Sequence, residues 1–521
     1  MCSHPGSWDA DLQQLADKGT IDVHGMRVSS DRLECILAAA RRYGDGKPLL
    51  RDANFRMATF EGAAHFDEAT FEGAAHFDEA TFKGETHFDV ATFGRRANFR
   101  KATFRGVVHF RQAVFSGKVH FEQATFEREA HFPEATFERT ARFQDAVFKG
   151  FAHFPDVTFG MHAVFRGADL KEGFRLGPAV VAGRLVLDEA SLGNVDMRVS
   201  TRLLCCLRTR FHDPAHLKVR WADIHLDEAV FDRASTLALS PSWSEVREME
   251  LPPPCNGIQP GSAEVMAKEE AGASPAMPRL ASLRGADVAS LTLADINLKF
   301  CDFKSALRLD QLRLATLCPF DEPPEGWRWT KRIMIREERY WRLTGPKPAD
   351  WRDEHVKRNA EEASTDGVET NEARRRSEAL RLAKIYRALR KGREDEGNAP
   401  GAGDFYYGEM EMRRHGEESG PERAIISLYW LVSGYGLRAS RALIALVVTV
   451  LLFTCLFSIA GIRDGNFWDD LVFSLQSTTN LLRGPAEDIP IEGELLEIGL
   501  RLLGPLFFGL ALLSLRGRVK R

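Results

Sequence analysis

Phenylalanine recurs from Phe55 to Phe165 at alternating steps of five and six residues, through Phe60, Phe66, Phe71, Phe77 and Phe82, and the run closes at Leu170. So short a period, with one large apolar residue per half-period, describes a coil that buries its core only by stacking on its neighbours. The stretch therefore reads as a solenoid. One unit is Ala69-Thr70-Phe71-Glu72-Gly73-Ala74-Ala75-His76-Phe77-Asp78-Glu79, and it returns eleven residues later with small changes. Phe takes the inward slot, the residue two before it is usually small (Ala58, Ala64, Ala69, Ala75, Val108, Val119), and the residue just before it faces outward. The outward slot holds Thr or Val on the five-residue step and His on the six-residue step. The β-branched residues suit a pleated, half-exposed surface.

The units Ala58-Thr59-Phe60-Glu61-Gly62 and Ala168-Asp169-Leu170 resemble the pentapeptide-repeat family, whose text is A-(D/N/T)-(L/F)-x-x. The resemblance implies a right-handed, four-sided parallel β-helix. The extra residue in every second unit departs from the family pattern. It predicts a coil of two eleven-residue units with a bulged or rounded corner, although a two-sided coil of eleven residues stays open. Ten such periods give five coils, roughly 24 Å of rod at about 4.8 Å per coil.

A second stretch keeps a strict step of five at Leu283, Val288, Leu293, Leu298 and Phe303, with Ala286, Ile296 and Cys301 in the small slot. The expected organisation is a helical cap over residues 1–50 (centred on Ser30 to Arg42), the Phe-rich β-helix over 51–170, and a degenerate continuation over 171–240. A Pro-rich loop insertion follows over 241–278, then a second repeat stretch over 279–326, a helical linker over 327–423 and a membrane domain over 424–521. Within the linker, Leu382, Ile385 and Leu389 read as an apolar stripe. After a break at Gly397-Asn398-Ala399-Pro400-Gly401, the segment Asp404 to Arg414 reads as the second helix of an antiparallel hairpin, whose dense charge reads as a solvated face.

Ala442 to Gly461 runs for twenty residues without a charge, enough to cross about 30 Å of hydrocarbon. A second span is expected from about Leu495 to Leu515, interrupted by Glu497 and Arg501. Arg438 and Arg441 precede the first span, Arg516, Arg518, Lys520 and Arg521 follow the second, and the loop between is acidic. By the positive-inside rule both termini are cytoplasmic, in a multi-pass inner (plasma) membrane protein. Ala424 to Leu437 reads as an interfacial helix, and Gly434-Tyr435-Gly436 as a helix break.

Between the spans, Phe467-Trp468-Asp469-Asp470-Leu471-Val472-Phe473-Ser474-Leu475-Gln476-Ser477-Thr478-Thr479 resembles the pore helix of two-transmembrane potassium-type channels. The resemblance implies a re-entrant pore helix and a homo-oligomer, a tetramer if the family is followed, since two spans per chain do not enclose a channel. The overall fold class is then mixed: a β-helix, a helical hairpin and an all-α two-span domain. Candidate pore-lining residues are Gln476, Ser477, Thr478, Thr479, Asn480, Glu497 and Arg501. Where the channel family has V-G-Y-G, this chain has Asn480-Leu481-Leu482-Arg483-Gly484, which lacks the glycines that stacked carbonyl sites need and predicts weak selectivity. Arg501 is costly in a span, and Glu497, four residues earlier, is its expected partner. Gly504-Pro505 is expected to kink or loosen the helix.

Several classes are disfavoured. There is no G-x-S-x-G, P-loop or H-E-x-x-H, so an enzyme is not expected, nor a cofactor. The formal charge of −4 makes no case for nucleic acid. A DNA-mimicking rod would be strongly acidic, whereas Arg95, Arg96, Arg100, Lys101, Arg105, Arg111 and Lys118 put a basic stretch in its middle. The eight Cys lack C-x-x-C spacing and suit reduced thiols. His65, His87, His109, His131 and His153 are spaced by 22 and should stack on one face, with His76, Asn98, His120 and Arg142 on another; the ladder reads as a duplicated, solvent-facing surface, with no metal site assigned. Lipid is the expected partner, with an unidentified protein on the β-helix. The expected function is an oligomeric pore with a sensing solenoid, against a non-conducting membrane-anchored scaffold.

Overall fold

Two-residue strands pair in parallel with their equivalents 22 residues on, so that Thr59-Phe60 lies under Thr81-Phe82 and Ala64-His65 under Thr86-His87. A computed structural model describes residues 18–43, 46–240, 277–323, 332–344, 372–459, 466–479 and 491–519. It divides into two units, Met1–Asp321 and Glu322–Arg521.

The first unit is a parallel β-solenoid of about 10 turns. Four ladders run along it, entered for example at Thr59, Ala64, Thr70 and Ala75, so the coil is four-sided and the eleven-residue two-sided alternative is set aside. Every Phe from Phe55 to Phe165 in the stepped series is buried. The rings form four parallel stacks: Phe60 on Phe82 at 4.6 Å, Phe66 on Phe88 at 4.9 Å, Phe71 on Phe93 at 4.7 Å and Phe77 on Phe99 at 4.8 Å. Rings on opposite sides meet edge to face, as Phe55 meets Phe66 at 77°, which suits the ring quadrupole, while neighbours across the five-residue corner are tilted, as Phe55 and Phe60 are at 48°.

The two corner types differ as the alternating step requires. On the five-residue step a non-glycine residue adopts the left-handed region once every eleven residues, at Met57, Glu68, Glu79, Val90 and Lys101 onward, and the turn closes with a bond such as Ala69 N–H to Phe66 O (3.2 Å). On the six-residue step the extra residue rounds the corner, and Ala64 N–H donates instead to Glu85 O of the next coil (2.8 Å). The coil then shortens. Leu170 sits under Leu192, 22 residues on, but Phe211 sits under Phe231, only 20 residues on. The degraded stretch is thus continuous solenoid, with long bent strands Phe174–Val186 and Val195–Cys205 replacing separate short ones. Of the expected loop insertion, residues 241–276 lie outside the described ones; the coil resumes in step where Arg279 and Leu280 pair with Asp223 and Ile224.

At the start, Thr20–Asp22 and Arg27–Val28 already pair with the coil above, so residues 1–50 are not a helical cap throughout. Helix α1 (Ser30–Tyr43) follows and packs on Ala64-His65, the strand that has no rung beneath it. It buries Leu33, Ile36, Leu37 and Ala40, and Ser30 Oγ donates to Ala63 O, so the apolar stripe covers an open edge.

The second unit is helical: α2 (Arg336–Leu343), α3 (Glu372–Asp395), α4 (Ala399–Gly416), α5 (Gly420–Ser433), α6 (Ala439–Ile459), α7 (Phe467–Thr479) and α8 (Ile491–Val519). Helices α3 and α4 form the hairpin, but two expectations change. The buried stripe of α3 runs through Ala379, Leu382, Ala383, Tyr386 and Leu389, with Ile385 only half-buried, because Tyr386 has partners for its hydroxyl inside. The breaker at Pro400 begins α4 instead, since a first-turn proline lacks only an N–H that needs no partner, and Asn398 caps Gly401 N–H at 3.0 Å. Gly408 is required at the crossing, where a Cβ would meet the Tyr386 ring at 2.5 Å.

Phe110 is fully buried between Phe88 and Phe132, both at 4.9 Å. Phe110→Asp should cost several kcal/mol, about 3–5 from the lost ring alone, whereas Thr103→Asp on the outer face should stay within about 0.5 kcal/mol. Val90→Gly, which relieves a left-handed β-branched residue at φ 59, should gain about 1 kcal/mol. Chemical unfolding of the three variants checks the slots.

Candidate functional site

The helical unit begins with buried charge. Glu338 of α2 is fully buried; Arg332 pairs with its Oε1, Arg342 Nε donates to the same oxygen at 2.7 Å, and Tyr386 OH donates to Oε2 at 2.5 Å. Glu411 of α4 accepts from Arg342 Nη2 (3.3 Å), Arg414 Nη2 (2.8 Å) and Tyr435 OH (3.0 Å). The charge of this region is therefore not only a solvated face: Glu338, Glu409 and Glu411 are buried because arginines neutralise them. Hydrophobic periodicity is blind to that arrangement, and the local signals were Arg342 one turn after Glu338 and Arg414 one turn after Glu411.

Through Tyr435 the network reaches the entry to the first candidate span. The break at Gly434-Tyr435-Gly436 is real, with φ of 55°, 59° and 76° in succession. Before it, Trp430 of α5 donates from Nε1 to Tyr407 OH (3.0 Å), and the Arg414 guanidinium lies 4.4 Å from its ring centre. After it, Arg441 of α6 donates to Trp430 O at 3.3 Å. Ile425, Leu428 and Leu431 leave an apolar face of α5 exposed.

Two helices are long and apolar enough to cross a membrane, Ala439–Ile459 and Gly493–Ser514. Their outer faces are open and apolar, at Ile444, Val447, Val448 and Leu452 and at Leu495, Leu502, Leu506 and Leu513. Helix α7 packs against both. Its phenylalanine Phe473 meets Phe457 edge to face at 5.4 Å, and Gly504 of α8 takes Thr478 so closely that a Cβ would lie 2.4 Å from its methyl. Pro505 lies inside an α8 that runs unbroken from Ile491 to Val519.

The candidate pore residues separate into distinct surroundings. Ser477 and Glu497 are buried and joined, Ser477 Oγ to Glu497 Oε1 at 3.4 Å, and Arg501 Nη2 donates to that oxygen at 2.5 Å, as the spacing of four predicted. Gln476 is exposed, and Thr478 is half-buried with its hydroxyl on Ser474 O (2.7 Å). Thr479 is the last residue of α7; its side chain, like all of Asn480, Leu481, Leu482, Arg483 and Gly484, lies outside the described residues. Sequence reading missed Asp470 and Ser474, which are buried on the same short helix. Among the described residues, Cys35, Cys205, Cys206 and Cys455 are thiols outside any disulfide.

Residues 49–92, 88–136 and 121–169 match the family model for pentapeptide repeats (9 copies). The four Phe stacks are therefore pentapeptide repeats, widened by one residue in every second unit. No curated protein and no solved structure matches the chain.

Burial alone would raise the carboxyls of the network. The Arg332 and Arg342 charges hold Glu338 below its usual range, and the His415 hydrogen bond with the Arg414 and Arg342 charges does so for Glu411. A depressed carboxyl stabilises the fold above its unfolded value of about 4.3 and loses that contribution as pH falls through the folded value. Glu338→Gln should therefore cost about 3–5 kcal/mol at neutral pH by leaving Arg332 under-neutralised. The gap to the parent should close as pH falls below about 4; hydrogen exchange of residues 372–395 measures both.

Proposed function

We propose that the chain is a subunit of an oligomeric membrane pore whose solenoid lies in the cytoplasm and binds or senses a protein partner. The observation that supports this most is helix α7. A 13-residue helix carrying buried Asp470, Ser474 and Ser477 packs on both span-length helices and meets the Glu497–Arg501 pair. Polar groups at membrane depth are tolerated where protein or water receives them, so a short helix between two spans suits a re-entrant loop. On this reading several subunits, four in the manner of two-span channels, bring the loops after α7 together, and Gln476, Ser477, Thr478, Thr479 and Asn480 lie nearest the constriction. The two spans insert with both termini cytoplasmic, and α5 rests its Ile425-Leu428-Leu431 face on the inner leaflet.

Coupling follows from the network. Force on α4 reaches Tyr435 through Glu411, and Tyr435 sits in the left-handed turn that sets the start of α6. No catalytic step, cofactor or nucleic acid belongs to this function. The rival is a non-conducting anchored scaffold, which the sequence Leu481-Leu482 in place of filter glycines favours.

Purified protein in a planar bilayer separates the two readings. The pore predicts cation current with weak discrimination between potassium and sodium, reduced or reversed in charge preference by Thr479→Lys, and an oligomer in detergent. Strong potassium selectivity would contradict the filter argument, and a monomer without current under any gradient would leave the scaffold. External labelling of single cysteines between Arg463 and Glu494, with none in the solenoid, is the expected topology.

A further inference from the structure

We propose that Asp67, His87 and Asp89, on two adjacent coils, form a binding site for one first-row divalent transition-metal ion, with His65 beside it. The text His-Phe-Asp occurs at His65-Phe66-Asp67 and again at His87-Phe88-Asp89. Each Phe is buried, so the His and Asp on either side of it emerge together on the outer face. Stacking then sets one pair over the other, with the His65 and His87 rings 4.7 Å apart and 15° from parallel. One ligand atom each from Asp67, His87 and Asp89 comes within 4.8 Å of the other two. Ligands at about 2.0–2.2 Å from a common ion stand roughly 3–4 Å apart, so small side-chain rotations close the site.

The surroundings favour the same conclusion. The backbone N–H of Arg111 donates to Asp89 Oδ1 at 2.9 Å and fixes that carboxylate, as outer-shell donors do around metals. His65 Nδ1 lies 3.5 Å from Asp67 Oδ2, within reach of a fourth position. Two carboxylates offset the charge of a dication, and one or two imidazoles bias the set toward zinc, copper, iron or nickel over calcium or magnesium.

Nowhere else along the two histidine faces does the pattern repeat. The following rungs read His109-Phe110-Arg111, His131-Phe132-Pro133 and His153-Phe154-Pro155, with no carboxylate in the third place. On the other face His76-Phe77-Asp78 stands under Asn98-Phe99-Arg100, and Asp78 already has Arg56 Nε at 3.3 Å. Among the described residues this is the group that brings three such atoms together.

The test uses the full chain, purified in detergent with a histidine-free tag, stripped by chelator and titrated calorimetrically with Zn²⁺. One equivalent should bind the parent. His87→Ala, Asp67→Asn and Asp89→Asn should each weaken binding by about 10-fold or more, while Asp78→Asn, the same text on the other face, should bind as the parent does. Zn²⁺ should raise the melting temperature only in the variants that bind it. Should an altered chain melt early without metal, Cu²⁺ paramagnetic resonance on the parent decides, since hyperfine splitting from imidazole nitrogen is expected. No uptake by the parent, uptake unchanged in His87→Ala and Asp89→Asn, equal loss in Asp78→Asn, or a spectrum without nitrogen splitting would each overturn the site.

Discussion

The spacing between neighbouring parallel strands governs this protein. Backbone bonds such as Phe66 N–H to His87 O, at 2.7 Å, hold successive coils one strand-width apart. That width is also the stacking distance of aromatic rings, so one interval satisfies the backbone and the core together. Phe60 over Phe82 at 4.6 Å and His65 over His87 at 4.7 Å are the inner and outer expressions of the same interval. Cross-coil ion pairs use it too, as Lys83 Nζ meets Glu61 Oε2 at 2.7 Å. Such exposed pairs add little energy each, but alternating sign along a column avoids stacking like charges.

Periodic features were legible in the sequence and non-periodic ones were not. The Phe step named the inward residues, the small slot at Ala64 and the outward slot at His65, because burial at period two leaves a trace in residue type. The coil shortening after Leu192 was visible only as degradation, since bent strands such as Phe174–Val186 keep buried residues without keeping their spacing. In the helical unit, Glu497 and Arg501 were paired correctly because partners four apart are local. The burial of Glu338 and Glu411 was not legible: Arg342 and Arg414 lie one turn away from them, but Tyr386 and Tyr435 reach them from 48 and 24 residues off.

That contrast marks a physical division. The solenoid is stabilised by many equivalent contacts, none of which is indispensable to the next coil but one. The helical unit concentrates its interactions, with Tyr386 OH accepting from Ile335 N–H at 3.1 Å while donating to Glu338, so that α2 and α3 are fixed at one point. Buried ionic groups of this kind set one arrangement sharply and fail together when one member is removed.

The alternation of corners also sets how the solenoid can change length. A gain or loss of five or six residues places a left-handed corner where a rounded one stood and breaks the pairing of every later coil. Eleven residues is different: the Phe stacks that begin at Phe55 and Phe66 exchange places, as do those at Phe60 and Phe71, and all rings remain buried. Yet the histidine column would cross to the opposite side, since His65 and His76 belong to different ladders. Only whole coils of 22 residues, the interval from His65 to His87, preserve both the interior and the side on which the surface is displayed. The rod is thus indifferent to its own length in one unit and sensitive to which way it faces in half of that unit.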